Sequence, residues 1–355
     1  MTREEMRERA RWIAAFAGYP IFYVFCFVTF TSLFFPYEVL KERIVLSFNA
    51  QQASSGSPQE LHIDELTSSW ITGVKAIGVS LSHASTDPKL PPVVLAIDEA
   101  RASVAFLPLL IGHKTIDFSL KGFGGDVDGT YSESGTNRSV EVNLDAIDIG
   151  QIEPVTATVG LPMEGHISGK IMVDMPEGKA TKGTGTVTIE GTDVAVGDGK
   201  AKLKGALPLP RLVVGGLSID AEAKDGILKI TKFAASGKDV EIAGDGRILM
   251  RDLATESVCD INLRFKINDG YRGKTDVTKN LFGAPGSTKP GDIELFVPEM
   301  KAAKRPDGFF GFHVRGLLGN PKFEPASTSA AATGGMGGGS SFGSSGSGTG
   351  TAPRP

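Results

Sequence analysis

The chain has 355 residues, 45 of them Gly and 20 Pro, with a formal charge of −4. That balance offers no basic surface for nucleic acid, which is excluded as a partner. Only two cysteines occur, Cys26 within an apolar run and Cys259 far from it, so the large remainder of the chain cannot be stapled by a disulfide of its own.

Residues 1–11 carry Arg3, Arg7, Arg9 and Arg11, and the 24 residues from Trp12 to Phe35 carry no charge at all. As a helix this run would extend about 36 Å, enough to cross a hydrocarbon core of roughly 30 Å. Its exit, Leu33-Phe34-Phe35-Pro36-Tyr37, lacks the small residues of a cleavage site. The run therefore predicts a retained transmembrane signal anchor over 12–35, with Trp12, Phe16, Phe22, Phe25, Phe27, Phe30 and Phe35 among its apolar side chains. The arginines before it outnumber Lys41 and Arg43 after it, which predicts a cytoplasmic N-terminus. Everything beyond the anchor then lies on the far side of the inner membrane, in the periplasm of a Gram-negative cell.

Pro36 suits the first turn of a new helix. Tyr37, Leu40, Ile44, Val45 and Phe48 follow at helical spacing, predicting a juxtamembrane helix over 36–50 that Ser54-Ser55-Gly56-Ser57-Pro58 breaks. From there to residue 326 the apolar period falls to two. Cys259, Ile261, Leu263, Phe265 and Ile267 alternate with Asp260, Asn262, Arg264, Lys266 and Asn268. Ile116 to Lys121, Val140 to Asp145 and Leu217 to Ala223 alternate in the same way. Further strands are predicted near 93–97, 167–173, 184–189, 226–233, 238–243, 293–297 and 310–314. The pairs Asp128-Gly129, Asp198-Gly199, Asp225-Gly226 and Asp245-Gly246 read as turns. Asp148 is placed to cap a helical turn running to about Val159, and Thr275 or Asp276 to cap a helix through Phe282.

The fold class predicted is mainly β: a membrane helix and a juxtamembrane helix, then a long antiparallel sheet, open or folded over, in a domain spanning 51–326. Its helices are too few to cover a sheet of about a dozen strands, and burying a large aliphatic side chain is worth roughly 1.5–3 kcal/mol, so the apolar face must find cover. Cys259, Ile261, Leu263, Phe265 and Ile267 either pack against a second layer or line an apolar groove. Residues 327–355 hold Gly or Ser at 16 of 29 positions and read as a disordered tail.

Catalytic chemistry is hard to place. Asp126-Val127-Asp128-Gly129 lacks the rest of a calcium loop, and Gly122-Phe123-Gly124-Gly125 lacks a following helix and reads as strand ends and a turn. His62, His83, His113, His166 and His313 are too scattered for a zinc site, and no Gly-x-Ser-x-Gly elbow occurs. Asn137-Arg138-Ser139 fits a glycosylation triplet by composition alone. The reading is of a non-enzymatic protein with no cofactor and no bound metal.

Phe35-Pro36-Tyr37-Glu38-Val39-Leu40-Lys41, Leu107-Pro108-Leu109-Leu110-Ile111-Gly112-His113-Lys114, Gly165-His166-Ile167-Ser168-Gly169 and Val314-Arg315-Gly316-Leu317-Leu318-Gly319-Asn320-Pro321-Lys322-Phe323 occur in that order. In their order and spacing they resemble the type II secretion system protein N family in its delta-proteobacterial form, over residues 10 to 326. More distantly, the strand-rich part resembles AsmA-like periplasmic proteins. The first resemblance implies an inner-membrane accessory subunit that supports export of folded proteins, with platform proteins and the secretin as partners. The second implies an open apolar groove that binds or transfers lipid. An adaptor of this kind is expected to offer its sheet edges to other strands, with 311–323 near one edge.

Overall fold

The computed structural model describes residues 18–20, 22–23, 26–27, 29–30, 34–52, 59–69, 72–83, 93–105, 108–109, 112–152, 161–203, 207–287 and 289–327. The segment 1–11 expected to be cytoplasmic, Trp12, Phe16 and Phe25 of the expected anchor, and the tail from 328 onward lie outside them. Phe22, Phe27, Phe30 and Phe35 are described and exposed, the first three in helical conformation. Among the described residues no helix is long and apolar enough to cross a membrane.

The helix expected over 36–50, α1, spans Tyr37–Gln52. Fourteen strands follow in a single antiparallel sheet: β1 (Gln59–Ser69), β2 (Gly73–His83), β3 (Val93–Val104), β4 (His113–Gly122), β5 (Gly125–Ser134), β6 (Asn137–Asp148), β7 (Met163–Met175), β8 (Thr184–Val196), β11 (Leu212–Lys224), β12 (Ile227–Ser236), β13 (Val240–Leu249), β14 (Val258–Ile267), β15 (Phe310–Leu317) and β16 (Asn320–Pro325). The short hairpin of β9 (Lys202–Leu203) and β10 (Leu207–Pro208) branches from the β8–β11 connection. Spatial order in the large sheet follows chain order throughout, so each long strand pairs only with its sequence neighbours. Strands at 73–83, 125–134 and 320–325 are not singled out by alternation because Gly, Ser and Pro dilute their pattern, and the one at 59–69 because its phase reverses at Asp64.

Four short helices fill the β14–β15 connection: α2 (Asp269–Arg272), α3 (Asp276–Phe282), α4 (Asp292–Phe296) and α5 (Pro298–Ala303). Thr275 caps α3 in a reciprocal box with Thr278, whose side chain answers the Thr275 backbone N–H at 2.9 Å. Of residues 293–297, expected as a strand, 293–296 are helical and Val297 is the extended residue that joins α4 to α5. Ile293, Val297 and Met300 are buried while Leu295 and Phe296 are exposed, a spacing that follows a helical face rather than a pleat. The helical turn capped by Asp148 is only a 3-10 turn over Ile149–Gln151, and residues 153–160 lie outside the described set.

Two of the four Asp-Gly turns are also corrected. Asp225-Gly226 closes the β11–β12 hairpin with φ of 51° and 73°, and Asp198 turns the chain by accepting from Lys200 and Ala201. Asp128-Gly129 and Asp245-Gly246, however, lie within β5 and β13. Gly129 pairs with Phe118, whose ring lies across it, so that a Cβ there would meet Phe118 Cζ at 2.3 Å. The neighbouring strand's aromatic ring fills the space that a side chain would take. Gly122-Phe123-Gly124-Gly125 is the β4–β5 turn, with positive φ at Phe123 and Gly124.

The main core lies at one end of β7 to β15. There Ile149, Leu161, Val194, Leu209, Leu212 and Val214 pack with Val240, Ile267, Tyr271, Leu281, Phe282 and Phe310. Tyr271 is wholly buried and its hydroxyl donates to the Pro210 carbonyl at 2.5 Å; burial, helped by the charge of Asp239, pushes its phenol well above the usual range. A second, smaller cluster joins Leu40, Ile44 and Val45 of α1 to Ile63, Leu66 and Ala76.

Substituting Gly129 with Val should displace the Phe118 ring and lower stability by about 1–3 kcal/mol, as other overpacked sites do. Urea unfolding of the variant checks this; an unchanged midpoint would show that the ring moves aside freely.

Candidate functional site

The register places apolar residues of successive strands opposite one another, and the resulting rows run across the sheet. One row reads Leu66, Ala76, Ala100, Leu120, Val127, Leu144, Gly169, Ile189, Ile219, Phe233, Gly244, Leu263, Phe312 and Pro325, one position from every long strand. Two positions along each strand, or three across the bulge in β12, a parallel row runs from Val74 through Ala102, Phe118, Gly129, Val142, Ile171, Val187, Ala221 and Ile230 to Gly246, Ile261, Val314 and Phe323. With strands about 4.8 Å apart, the fourteen-strand row measures about 60 Å along the ladder, and it contains no charged side chain.

Residues 259–267 sit within this pattern. Leu263 belongs to the first row and Ile261 to the second, while Cys259 lies in a third with Ile248 and Gly316. Phe265 pairs with Ile242 and Phe310, and Ile267 with Val240. Cys259 and Ile267 are buried; Ile261, Leu263 and Phe265 keep partial exposure. The five share one face, but their cover differs. Ile267 belongs to the main core and Phe265 packs against it, with its ring stacked on Phe310 and Phe312 at centroid distances of 5.6 and 6.1 Å. Phe118, Val127, Val142, Leu144, Ile171, Val187 and Ile189 belong to neither core cluster and remain partly exposed. The central part of the apolar face thus has no buried cluster over it among the described residues. Unbroken alternation marks 259–267 in the sequence, whereas glycines at 129, 169 and 185 thin the pattern of the central residues.

The opposite face is polar and cross-linked. Thr67, Lys75, Arg101, Ser119, Asp128, Asn143, Lys170, Thr188, Asp220 and Lys232 form one continuous row upon it. Lys75 and Arg101 both reach Glu99, and the Lys75 hydrogen bond chiefly holds that carboxyl below its usual range. At the far end, His313 Nε2 lies 2.7 Å from Asp260 Oδ1, with Arg247 and Arg315 each 3.6 Å from the same carboxylate. The His313 hydrogen bond is the main cause of a lowered Asp260 pKa. Among the described residues no group of His, Cys, Asp or Glu is placed to hold a metal ion, and the five histidines are not brought together.

Both sheet edges carry protection. At β16, Ala326 N–H donates to Gly311 O, which fixes the alternation: the backbone groups of Pro321, Phe323 and Pro325 point away from β15. Two of those three residues have no N–H to offer. At β1 the Asn49 side chain of α1 takes the place of a neighbouring strand. Its Oδ1 accepts from Leu61 N–H at 2.8 Å and its Nδ2 donates to Leu61 O at 3.3 Å. Lys41 Nζ donates to the Asp64 carbonyl at 3.1 Å, at a point where the β1–β2 ladder is broken opposite Gly78. Of the segment 311–323, expected near an edge, only the β16 part is the edge itself: β16 ends the sheet, while β15 pairs with both β14 and β16.

No protein-family model, curated protein or solved structure matches the chain.

Because the folded Asp260 pKa is lowered, its contribution to stability is fully present above the unfolded value near 3.9 and is lost as pH falls through the folded value. Asp260→Asn should therefore flatten the acid limb of stability between about pH 5 and pH 2 relative to wild type. Denaturant midpoints across that range read the effect, and an identical acid limb in the variant would remove Asp260 as its source.

Proposed function

We propose that this chain is an accessory inner-membrane subunit of the type II secretion system, an adaptor rather than an enzyme, supporting passage of folded proteins across the outer membrane. The four segments that resemble the protein N family carry the choice of machine. They fall at the start of α1, the β3–β4 connection, the head of β7 and the β15–β16 hairpin, so the resemblance is distributed along the whole sheet. The single geometric observation that supports an adaptor is the attachment of α1 to β1. The helix next to the apolar N-terminal run leads directly into the first strand of one continuous sheet and rests on it through Asn49, Lys41 and a small apolar cluster, so that an anchor at 12–35 would be joined to the sheet at its β1 end. The anchor places the N-terminus in the cytoplasm and the sheet in the periplasm on this reading, with platform proteins and the secretin as partners and the polar face toward them.

Deleting the gene should block export of folded substrates while they still accumulate in the periplasm. Photocrosslinkers at Arg264 and Lys266, on the polar face, should capture other secretion subunits. Normal export in the deletion strain would sink this reading.

A second reading is favoured by one observation, the uncharged rows whose central residues lack cover. Acyl chains of a lipid would satisfy Phe118, Val142, Ile171 and Val187 at roughly 25 cal/mol per Å² of apolar surface removed from water. On this reading the sheet is an open AsmA-like trough that binds or transfers lipid. Purified without detergent, the soluble region should carry phospholipid detectable by mass spectrometry of its organic extract. Ile171→Asp together with Val187→Asp should abolish that signal while leaving the core around Tyr271 folded; lipid-free wild-type protein would count against the trough.

A further inference from the structure

The two edges of the sheet are protected in chemically different ways. At β16 the protection is covalent, since Pro321 and Pro325 lack the donor that an added strand would need. At β1 it is conformational, since Leu61 keeps both its N–H and its carbonyl, and both are engaged by one side chain of α1. Removing α1 would leave a paired donor and acceptor aimed outward from the first strand, whereas nothing short of mutation would free β16 to the same degree.

The grip of α1 is light. None of its sixteen residues is buried. Its apolar contribution comes from Leu40, Ile44 and Val45, which are only partly buried against Ile63, Leu66 and Ala76. Lys41 is shared between the Asp64 carbonyl and Glu38 at 2.7 Å. A helix with no buried residue and only a small apolar cluster beneath it belongs to the low-stability end of a structure's local openings.

We infer that α1 is a releasable latch over the β1 edge, and that the released edge accepts an extended segment of another polypeptide as an additional antiparallel strand. The segment that fits alternates apolar and polar residues. Its apolar side chains replace Leu40, Ile44 and Val45 over Ile63 and Leu66, and its backbone replaces the Asn49 amide at Leu61. Because α1 directly follows the apolar run, any change that draws the helix toward the membrane also opens the edge. This deepens the adaptor reading and rests on it for the identity of the partner as another secretion subunit; the export phenotype of the deletion strain decides that reading separately.

The test uses the full-length chain in nanodiscs and, as probe, a fluorescein-labelled peptide carrying Gly73–His83, the sequence that already pairs with β1 from its inner side. Asn49→Ala combined with Ile44→Asp releases the latch, and hydrogen exchange reports release as faster exchange of the Leu61 amide with unchanged protection along β14. The expected result is at least a tenfold rise in peptide affinity by fluorescence anisotropy, abolished when Leu61→Pro is added to remove the outward donor. Faster Leu61 exchange without tighter peptide binding overturns the proposal. So does a gain in affinity that survives Leu61→Pro, since binding would then lie elsewhere, and so does an unchanged Leu61 exchange rate, since α1 would not be what guards the edge.

Discussion

Fourteen strands joined only to their sequence neighbours must agree on which face is apolar, because a slip of one residue would turn a strand's apolar side chains to the wrong side. This phase constraint shapes the rest of the molecule. The chain meets it with local corrections. Ala146 in β6 and Asp193 in β8 take positive φ beside breaks in register, and Gly215 does so in β11. Each extra residue lets the strand shift by one without expelling its apolar set, so that Leu144 and Ile147 share a face across one break and Gly191 and Val194 across the next. At Asp64 and Gly78 a comparable irregularity keeps Ile63 and Leu66 in one cluster.

That correction explains why the mainly β class was legible while several details were not. Alternation in 116–121, 140–145 and 259–267 is unbroken, and those strands are evident from composition alone. In 59–69 the phase reverses at Asp64, and in 125–134 one apolar position is Gly129, so a search for strict alternation passes over both. The strand expected at 293–297 failed for a related reason. Five residues with apolar ends satisfy either period, and it is the wider spacing of Ile293, Val297 and Met300 that distinguishes a helix. Asp128-Gly129 and Asp245-Gly246 carry turn chemistry in their letters, but whether a glycine turns the chain or shelters beneath a neighbouring strand depends on Phe118 and Ile261, residues assigned to those places only by register.

The candidate site was legible in kind rather than in extent. Cys259 to Ile267 identified the apolar face, yet that segment is its better-covered end, and the less covered middle is spread over strands from β4 to β8. No one-dimensional pattern marks which parts of a uniform face will receive helices. The short helices between β14 and β15 are encoded more than thirty residues after β12 begins, and they cover the sheet near their own point of insertion. Edge protection was similarly hidden at β1: Asn49 is an unremarkable residue in a helix until Leu61 is brought beside it.

The neighbour-only order of the strands also bears on how such a chain assembles. Every long strand after β1 finds its first partner already in place when the chain emerges from its N-terminus, and no pairing waits for a distant segment. Loop closure then remains short at most steps, with the β6–β7, β8–β11 and β14–β15 connections the main exceptions. The growing margin of the sheet is nevertheless exposed until the next strand arrives, and it passes along the molecule until Pro321 and Pro325 end it. A chain that stopped before β16 would keep a terminal strand with its full row of donors, so the last hairpin serves as the point at which growth becomes chemically finished.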